Sequence, residues 1–298
     1  MRATLLAVAL AAGAAAPAPP AAPIAIAFTS ATTGIAISDE GLARTVNGGR
    51  SWERVRSSGG VKEVAFAGAT ALAVVERERP CAPCATLVRS GDRGVTFRRT
   101  RLHVRHPFLL DSETGWAFSD PRGTLVATAD GGRTWHARPP PCRGGADAFA
   151  AMSFVSRSRG WLLCTSQPGA GQQPKAVYAT RDGGRHWQLV MSAGYPSLRR
   201  SSRGAVDLAG YPGGIAFVPG GHGWMWEQRG WMWETRDGGR TWRRWSAAVP
   251  ELVEYDAVAF ADSRHGFLLR TDANRGRVDL LGTSDAGMRW RLVRASPR

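Results

Sequence analysis

The sequence is poor in lysine, tyrosine and cysteine, and past its first residues it holds no long apolar run. Lys62 and Lys175 are the only lysines, so the formal charge of +15, from 39 Lys+Arg against 24 Asp+Glu, is an arginine charge. An excess of that size suits nucleic acid, anionic lipid or an acidic protein or glycan as partner, and it also follows from arginine-favouring codon use. No cysteine precedes Cys81, which excludes a lipid-modified N-terminal cysteine. No later segment carries 18 consecutive apolar residues, so no membrane-spanning helix is expected. A 3.6-residue apolar period is missing as well, so helix should be nearly absent. Metal-ligand clusters, a Gly-x-Ser-x-Gly elbow and phosphate-binding loops do not occur, and no metal or cofactor is expected.

What is there begins with a leader. Arg2 precedes the apolar stretch Ala3 to Ala12, and an Ala/Pro-rich tail follows with small-x-small sites at Ala12-Gly13-Ala14 and Ala16-Pro17-Ala18. This predicts a cleaved signal peptide and Ala/Pro-rich segment over 1–23, and a folded, secreted or periplasmic chain over 24–298. In that setting Cys81, Cys84, Cys142 and Cys164 are expected to form two disulfides, with three pairings open. The flanks of Cys81-Ala-Pro-Cys84 read as a loop entering a strand, which argues against a redox pair at a helix start. No histidine stands at zinc-ligand spacing from them.

One segment recurs six times, as in Thr128-Ala-Asp130-Gly-Gly132-Arg-Thr134-Trp135. Its third position is Asn47, Asp92, Asp130, Asp182, Asp237 and Asp285, at spacings of 45, 38, 52, 55 and 48 residues. The side-chain oxygen there can accept from backbone N–H groups two residues on and close an Asx-type turn. The glycine that follows supplies a conformation other residues resist, and the aromatic opens the next strand. These acidic residues are therefore read as scaffolding. A softer motif precedes each turn: an apolar strand ending at Phe, a polar turn, then Gly-aromatic, as in Phe154 to Gly160-Trp161. Each unit thus holds four short antiparallel strands, and units at this spacing are propeller blades. The expected fold is all-β, a single six-bladed β-propeller, with seven blades as the alternative. The stretch Met191 to Gly213 is too short for a seventh.

These residues resemble the Asp-box, or BNR, repeats of bacterial sialidases, sortilin-type receptors and Ycf48-like photosystem assembly factors. The match covers essentially the whole chain after the leader. The combined pattern of Phe, Gly-Trp and Thr-x-Asp-Gly-Gly-Arg-Thr-Trp most resembles the Ycf48-like branch, whose members have seven blades where six are counted here. The resemblance implies an extracytoplasmic propeller that holds another protein or ligand.

Function is expected on the loops opposite the Asp turns, where long and variable segments collect. Arg98, Arg99, Arg101, Arg105, Arg143, Arg199, Arg200 and Arg203 fall there and would grip carboxylate, sulfate or phosphate. The expected partner is an acidic protein or an anionic glycan, with nucleic acid disfavoured. Across Trp224 to Trp233, pairing Trp226 with Trp231 and Trp224 with Trp233 would place four indoles on one hairpin face. Trp226 and Trp231 would then lie nearest the tip. The alternative function is an exo-glycosidase of sialidase type. The resemblance implies that such an enzyme needs an arginine triad, a tyrosine nucleophile with a glutamate base, and an acidic proton donor. Only Tyr255, beside Glu254 and Asp256, offers a tyrosine with carboxylates. Adjacent residues of an extended chain point apart, so a non-catalytic binding module takes precedence.

Overall fold

The computed structural model describes residues 24–38, 41–55, 60–76, 85–120, 122–142, 149–194, 206, 210–228, 231–245, 253–272 and 275–297. Among them the chain forms strands and no α-helix, grouped in six four-stranded antiparallel sheets of consecutive strands. The first blade runs Ala25–Phe28, Gly34–Ser38, Gly41–Thr45 and Glu53–Arg54. The others cover 61–99, 104–138, 149–193, 211–244 and 253–297 in the same order. The innermost strands are Ala25–Phe28, Val61–Ala67, Val104–Leu109, Phe149–Phe154, Tyr211–Phe217 and Val253–Phe260. They touch in sequence around a ring, the sixth returning to the first. The molecule is a six-bladed β-propeller. Among the described residues no strand is exchanged to close the ring; the sixth blade meets the first by packing and by a bond from the Arg294 side chain to the Arg50 carbonyl.

The two sequence motifs explain why neighbouring blades adhere. The phenylalanine ending an innermost strand pairs in register with the glycine opening the next strand, as in Phe28 with Gly34, Phe154 with Gly160, Phe217 with Gly223 and Phe260 with Gly266. Its ring lies flat over that glycine, where a Cβ would collide with it. The aromatic after the glycine then stacks on the phenylalanine of the following blade. Trp116 meets Phe154 at 3.5 Å between centroids, Trp161 meets Phe217 at 3.9 Å, Trp224 meets Phe260 at 4.7 Å and Phe267 meets Phe28 at 3.5 Å. Each such pair adds about 0.5–1.5 kcal/mol beyond the area it buries. The turn aromatics Trp52, Trp187, Trp242 and Trp290 close the sandwich edge-on against the same phenylalanines. The third blade deviates: Leu109, not Phe108, faces Gly115.

The recurrent turn is a hydrogen-bonded knot with geometry slightly different from the expected one. In each copy the leading Ser or Thr hydroxyl donates to the Asp or Asn oxygen and accepts from the glycine N–H four residues on, at 2.9–3.0 Å in every case. The Asp oxygen accepts from N–H groups three and four residues on, such as Arg185 and His186 onto Asp182, and not two residues on. The hydroxyl occupies the two-residue position instead, accepting from the Asp N–H itself. The turn also reaches the previous blade. Trp116 and Trp161 donate their indole N–H to Gly183 and Gly238 at 3.1 and 2.9 Å. A Cβ on Gly49 or Gly287 (φ 85° and 78°) would strike Leu280 or Trp224 of the neighbouring blade.

Replacing Thr180 by Val keeps the shape but orphans the Gly184 N–H and one Asp182 contact. The expected loss is about 1–3 kcal/mol of unfolding free energy by urea titration. A second expectation concerns acid. Partial burial acts to raise the Asp92 pKa, but hydrogen bonds from Ser90, Thr96 and the Val95 amide outweigh it and hold the carboxyl at about 2. Asp130 and Asp182 are held lower still. A carboxylate depressed by folding stabilises above its unfolded pKa and loses that contribution as pH falls toward the folded value. Thermal midpoints should therefore drop between about pH 4 and pH 2. Asp92→Asn should flatten that slope, because Asn47 already closes the first blade's turn without a titrating group.

Candidate functional site

The innermost strands enclose a central channel of about 380 Å³. Its wall at the Asp-turn end is formed by the ring of phenylalanines, and the opposite end is where the innermost strands begin. There, five of the six strands carry a β-bulge. The extra residue is Lys62 in the second blade, one of His106 and Pro107 in the third, Ala150 in the fourth, Gly213 in the fifth and Asp256 in the sixth. In the second, fourth, fifth and sixth blades it stands four residues before the phenylalanine. Bulges re-aim side chains at barrel rims and active sites, and Lys62, His106, Pro107, Gly213 and Asp256 all line the channel. This mouth was missed by period-two reading, although the constant offset from phenylalanine would have marked it.

The mouth is charged and hydrogen-bonded. His106 has φ 51°, a left-handed conformation uncommon for a side-chain-bearing residue and often retained at sites of use. Its backbone N–H donates to the Glu63 carboxylate, and its Nδ1 lies 3.6 Å from the same group. The Thr271 hydroxyl donates to Asp256 at 2.8 Å. Just behind, Arg105 is clasped by Glu76 and lies 3.5 Å from Asp120. Burial acts to lower the Arg105 pKa, but the bond and charge of Glu76, with Asp120 and Glu63, raise it. Arg105 is thus a structural cation.

The remaining candidates are placed as follows. Arg98 and Arg99 form the exposed outermost strand of the second blade, and Arg101 follows them, exposed. Arg143, Arg199, Arg200, Arg203, Cys81 and Cys84 lie outside the described residues, as do the side chains of Glu254 and Trp231. Cys142 and Cys164 form a disulfide. Tyr255 is buried in the core between the fifth and sixth blades with Trp224, Trp226 and Leu268, and burial pushes its phenol up to about 12 against a weaker pull from Arg270.

The tryptophan hairpin departs from expectation. Trp226 pairs with Met232, Glu227 with Trp231, Met225 with Trp233 and Trp224 with Glu234. The register is offset by one residue from the expected one, and a one-residue slip exchanges the faces. Trp224 and Trp226 therefore pack toward the sixth blade with Met232, while Trp233 packs toward the fourth with Met225. Trp226 is 6% exposed and lies over the Gly213 and Gly214 bulge, where a side chain would collide with its ring.

Several arginines are consumed internally. Asp279, fully buried, is flanked by Arg270 and Arg277 at 2.9 and 2.8 Å. Glu234 is held by His222, Arg236 and Arg243 at 2.5–3.0 Å. A Lys175–Glu227 pair with no solvent exposure joins the fourth and fifth blades. Among the described residues no group of three metal-ligating side chains comes together, and no helix is long and apolar enough to cross a membrane.

No family model matches the chain, and no curated protein sequence does. Solved structures do. Ycf48 bound to a D1 peptide matches with TM-score 0.55 and 17% identity over 92% of this chain and 82% of that one. Ycf48 from Cyanidioschyzon merolae matches with TM-score 0.52 and 18% identity over 93% and 87%. The GH74 xyloglucanase of Xanthomonas campestris and the GH74 enzyme of Niastella koreensis match with TM-scores 0.60 and 0.64 at 17% and 12% identity. They do so over 92% and 93% of this chain, but only 45% and 46% of theirs. The chain is a propeller similar in architecture to both groups, and it spans less than half of the GH74 chains.

Tyr255→Phe should leave the unfolding free energy within about 1 kcal/mol. Alkaline absorbance titration of the variant should lose the phenol that ionises near 12.

Proposed function

We propose that this protein is a non-catalytic scaffold that holds an acidic segment of a partner protein across the face where the innermost strands begin. The observation that carries the reading is the set of bulges that turns Lys62, His106 and Asp256 toward the channel mouth. A propeller that needs only a rigid ring has no use for a repeated irregularity at one end of it. Lys62 is the exposed cation of this mouth, and Arg98, Arg99 and Arg101 lie exposed along the outer edge of the second blade, Arg98 and Arg99 opposite Arg89 and Val88. Similarity in fold to Ycf48 bound to a D1 peptide supports a polypeptide as the occupant. Export fits the same reading, since the Cys142–Cys164 disulfide belongs to an oxidising compartment.

The glycosidase reading, which similarity in fold to GH74 enzymes keeps as an alternative, meets a specific obstacle in Tyr255. A phenol sealed in a blade interface and ionising near 12 is a poor nucleophile.

The test is fluorescence anisotropy with a capped Glu-rich peptide. Micromolar binding is expected, weakened about tenfold in a Lys62→Ala variant and by raised salt. A Gln-for-Glu peptide should not bind. Turnover of a fluorogenic sialoside or a xyloglucan oligosaccharide would instead establish the hydrolase.

A further inference from the structure

We infer that the Asp-turn face, opposite to the one just discussed, carries an oxyanion-binding cleft at the junction of the fourth and fifth blades. Arg159, Arg181 and Arg240 build it, and its ligand is a carboxylate, sulfate or phosphate group. The cleft encloses about 240 Å³, and Trp161, Trp187 and His186 contribute to its wall. The three arginines come from three separate segments. Arg159 precedes the second strand of the fourth blade, Arg181 is the second residue of that blade's Asp turn, and Arg240 is the sixth residue of the fifth blade's turn.

Two features make this more than an exposed basic surface. First, all three guanidiniums are exposed, and among the described residues none of them is ion-paired. The cleft does contain two carboxylates, Asp182 and Asp237, but both are engaged in their own turns. Asp182 accepts from Thr180, the Arg185 and His186 amides and the His186 ring. Asp237 accepts from Thr235, the Arg240 and Thr241 amides and the Thr241 hydroxyl. The guanidinium N–H groups are left for a ligand that accepts in the same forked geometry. Arg159 is also pre-positioned, its guanidinium 5.2 Å above the Trp161 ring.

Second, the cleft wall contains a surplus donor. Trp52, Trp135 and Trp242 each donate the indole N–H to their own turn glycine at 2.9–3.2 Å. Trp187 and Trp290 stand at the equivalent positions in the fourth and sixth blades, and their buried Nε1 atoms have no acceptor. Of the two, Trp187 is part of this cleft's wall, so an anion seated there would lie beside a donor that lacks a partner. The size sets the ligand class. Sites for drug-sized molecules run from about 300 to 1,000 Å³, so this cleft suits a single oxyanion group on a short stem.

The test is the thermal midpoint of the full chain, titrated with sodium sulfate at constant ionic strength using chloride as balance. Saturable stabilisation is expected, half-complete on the order of 1 mM. Arg181→Gln with Arg240→Gln should shift that midpoint at least tenfold, while Arg98→Gln with Arg99→Gln should leave it unchanged. Both arginines of the first variant are exposed and outside the core, so it should fold; Arg159→Gln, which disturbs the Trp161 contact, serves as the third variant. A capped tripeptide with central Glu distinguishes a protein carboxylate from a free inorganic ion as the natural source. Absence of a saturable sulfate effect, or an undiminished one in the Arg181/Arg240 variant, overturns the inference. Neither result bears on peptide binding at the other face.

Discussion

Each blade ends its innermost strand in a side chain that the adjacent blade must cover, and the ring exists because every blade supplies the cover for the next. Phe154 shows the full arrangement. Its own Gly160 yields room beneath the ring, Trp116 of the preceding blade stacks on it at 3.5 Å, and Trp187 closes it edge-on. The Trp116 indole then donates to the carbonyl of Gly183, so a single residue ties both the stack and the turn. Remove the flat contact and the turn loses its neighbour; remove the turn and the tryptophan loses its acceptor. This mutual dependence explains why a ring with no exchanged strand can close. Between the sixth and first blades the same geometry recurs, with Phe267 on Phe28, and Arg294 adds a bond to the Arg50 carbonyl at 3.3 Å.

The same constraint leaves the other end of the channel at liberty. At the Asp-turn end the innermost strands are committed to the aromatic stack through Phe28, Phe154, Phe217 and Phe260. Towards the beginning of the strands the packing demand falls, and bulges appear without disturbing the stack four residues later. Where Gly213 occupies the bulge, the Trp226 ring lies over it. Where Lys62, His106 and Asp256 occupy it, the mouth gains charge. A scaffold of this kind separates the residues that hold the ring from those that are able to diversify.

Much of this was legible in sequence because its determinants are local and periodic. The turn needs Thr180, Asp182 and Gly184 at fixed offsets, and six repetitions remove ambiguity. Register was not legible in the same way. Whether Trp226 faces Trp231 or Met232 depends on one residue in the hairpin loop, and alternation alone cannot count it. Bulges hide for the same reason, since Asp256 breaks the alternation between Tyr255 and Ala257 without any change of composition. Ion pairs between distant segments, such as Lys175 with Glu227 at a separation of 52 residues, leave no trace in the sequence.

Charge follows the turn geometry more closely than the total suggests. In the eight-residue turns of the second, third and sixth blades one arginine accompanies one aspartate: Arg93 with Asp92, Arg133 with Asp130, Arg289 with Asp285. The first blade carries Arg50 with neutral Asn47, and the fourth and fifth carry two arginines for one aspartate, Arg181 and Arg185 or Arg236 and Arg240. Arg50, Arg133 and Arg185 donate to the backbone carbonyl of the Asp or Asn position and not to its side chain. The aspartate oxygens are taken by amides, so the turn rejects its own arginine as a carboxylate partner. A surplus remains where a turn carries more arginines than aspartates. In the fourth blade Arg159 and Arg181 add to it, while Arg157 lies 3.6 and 3.7 Å from the Asp111 and Glu113 carboxylates of the third blade.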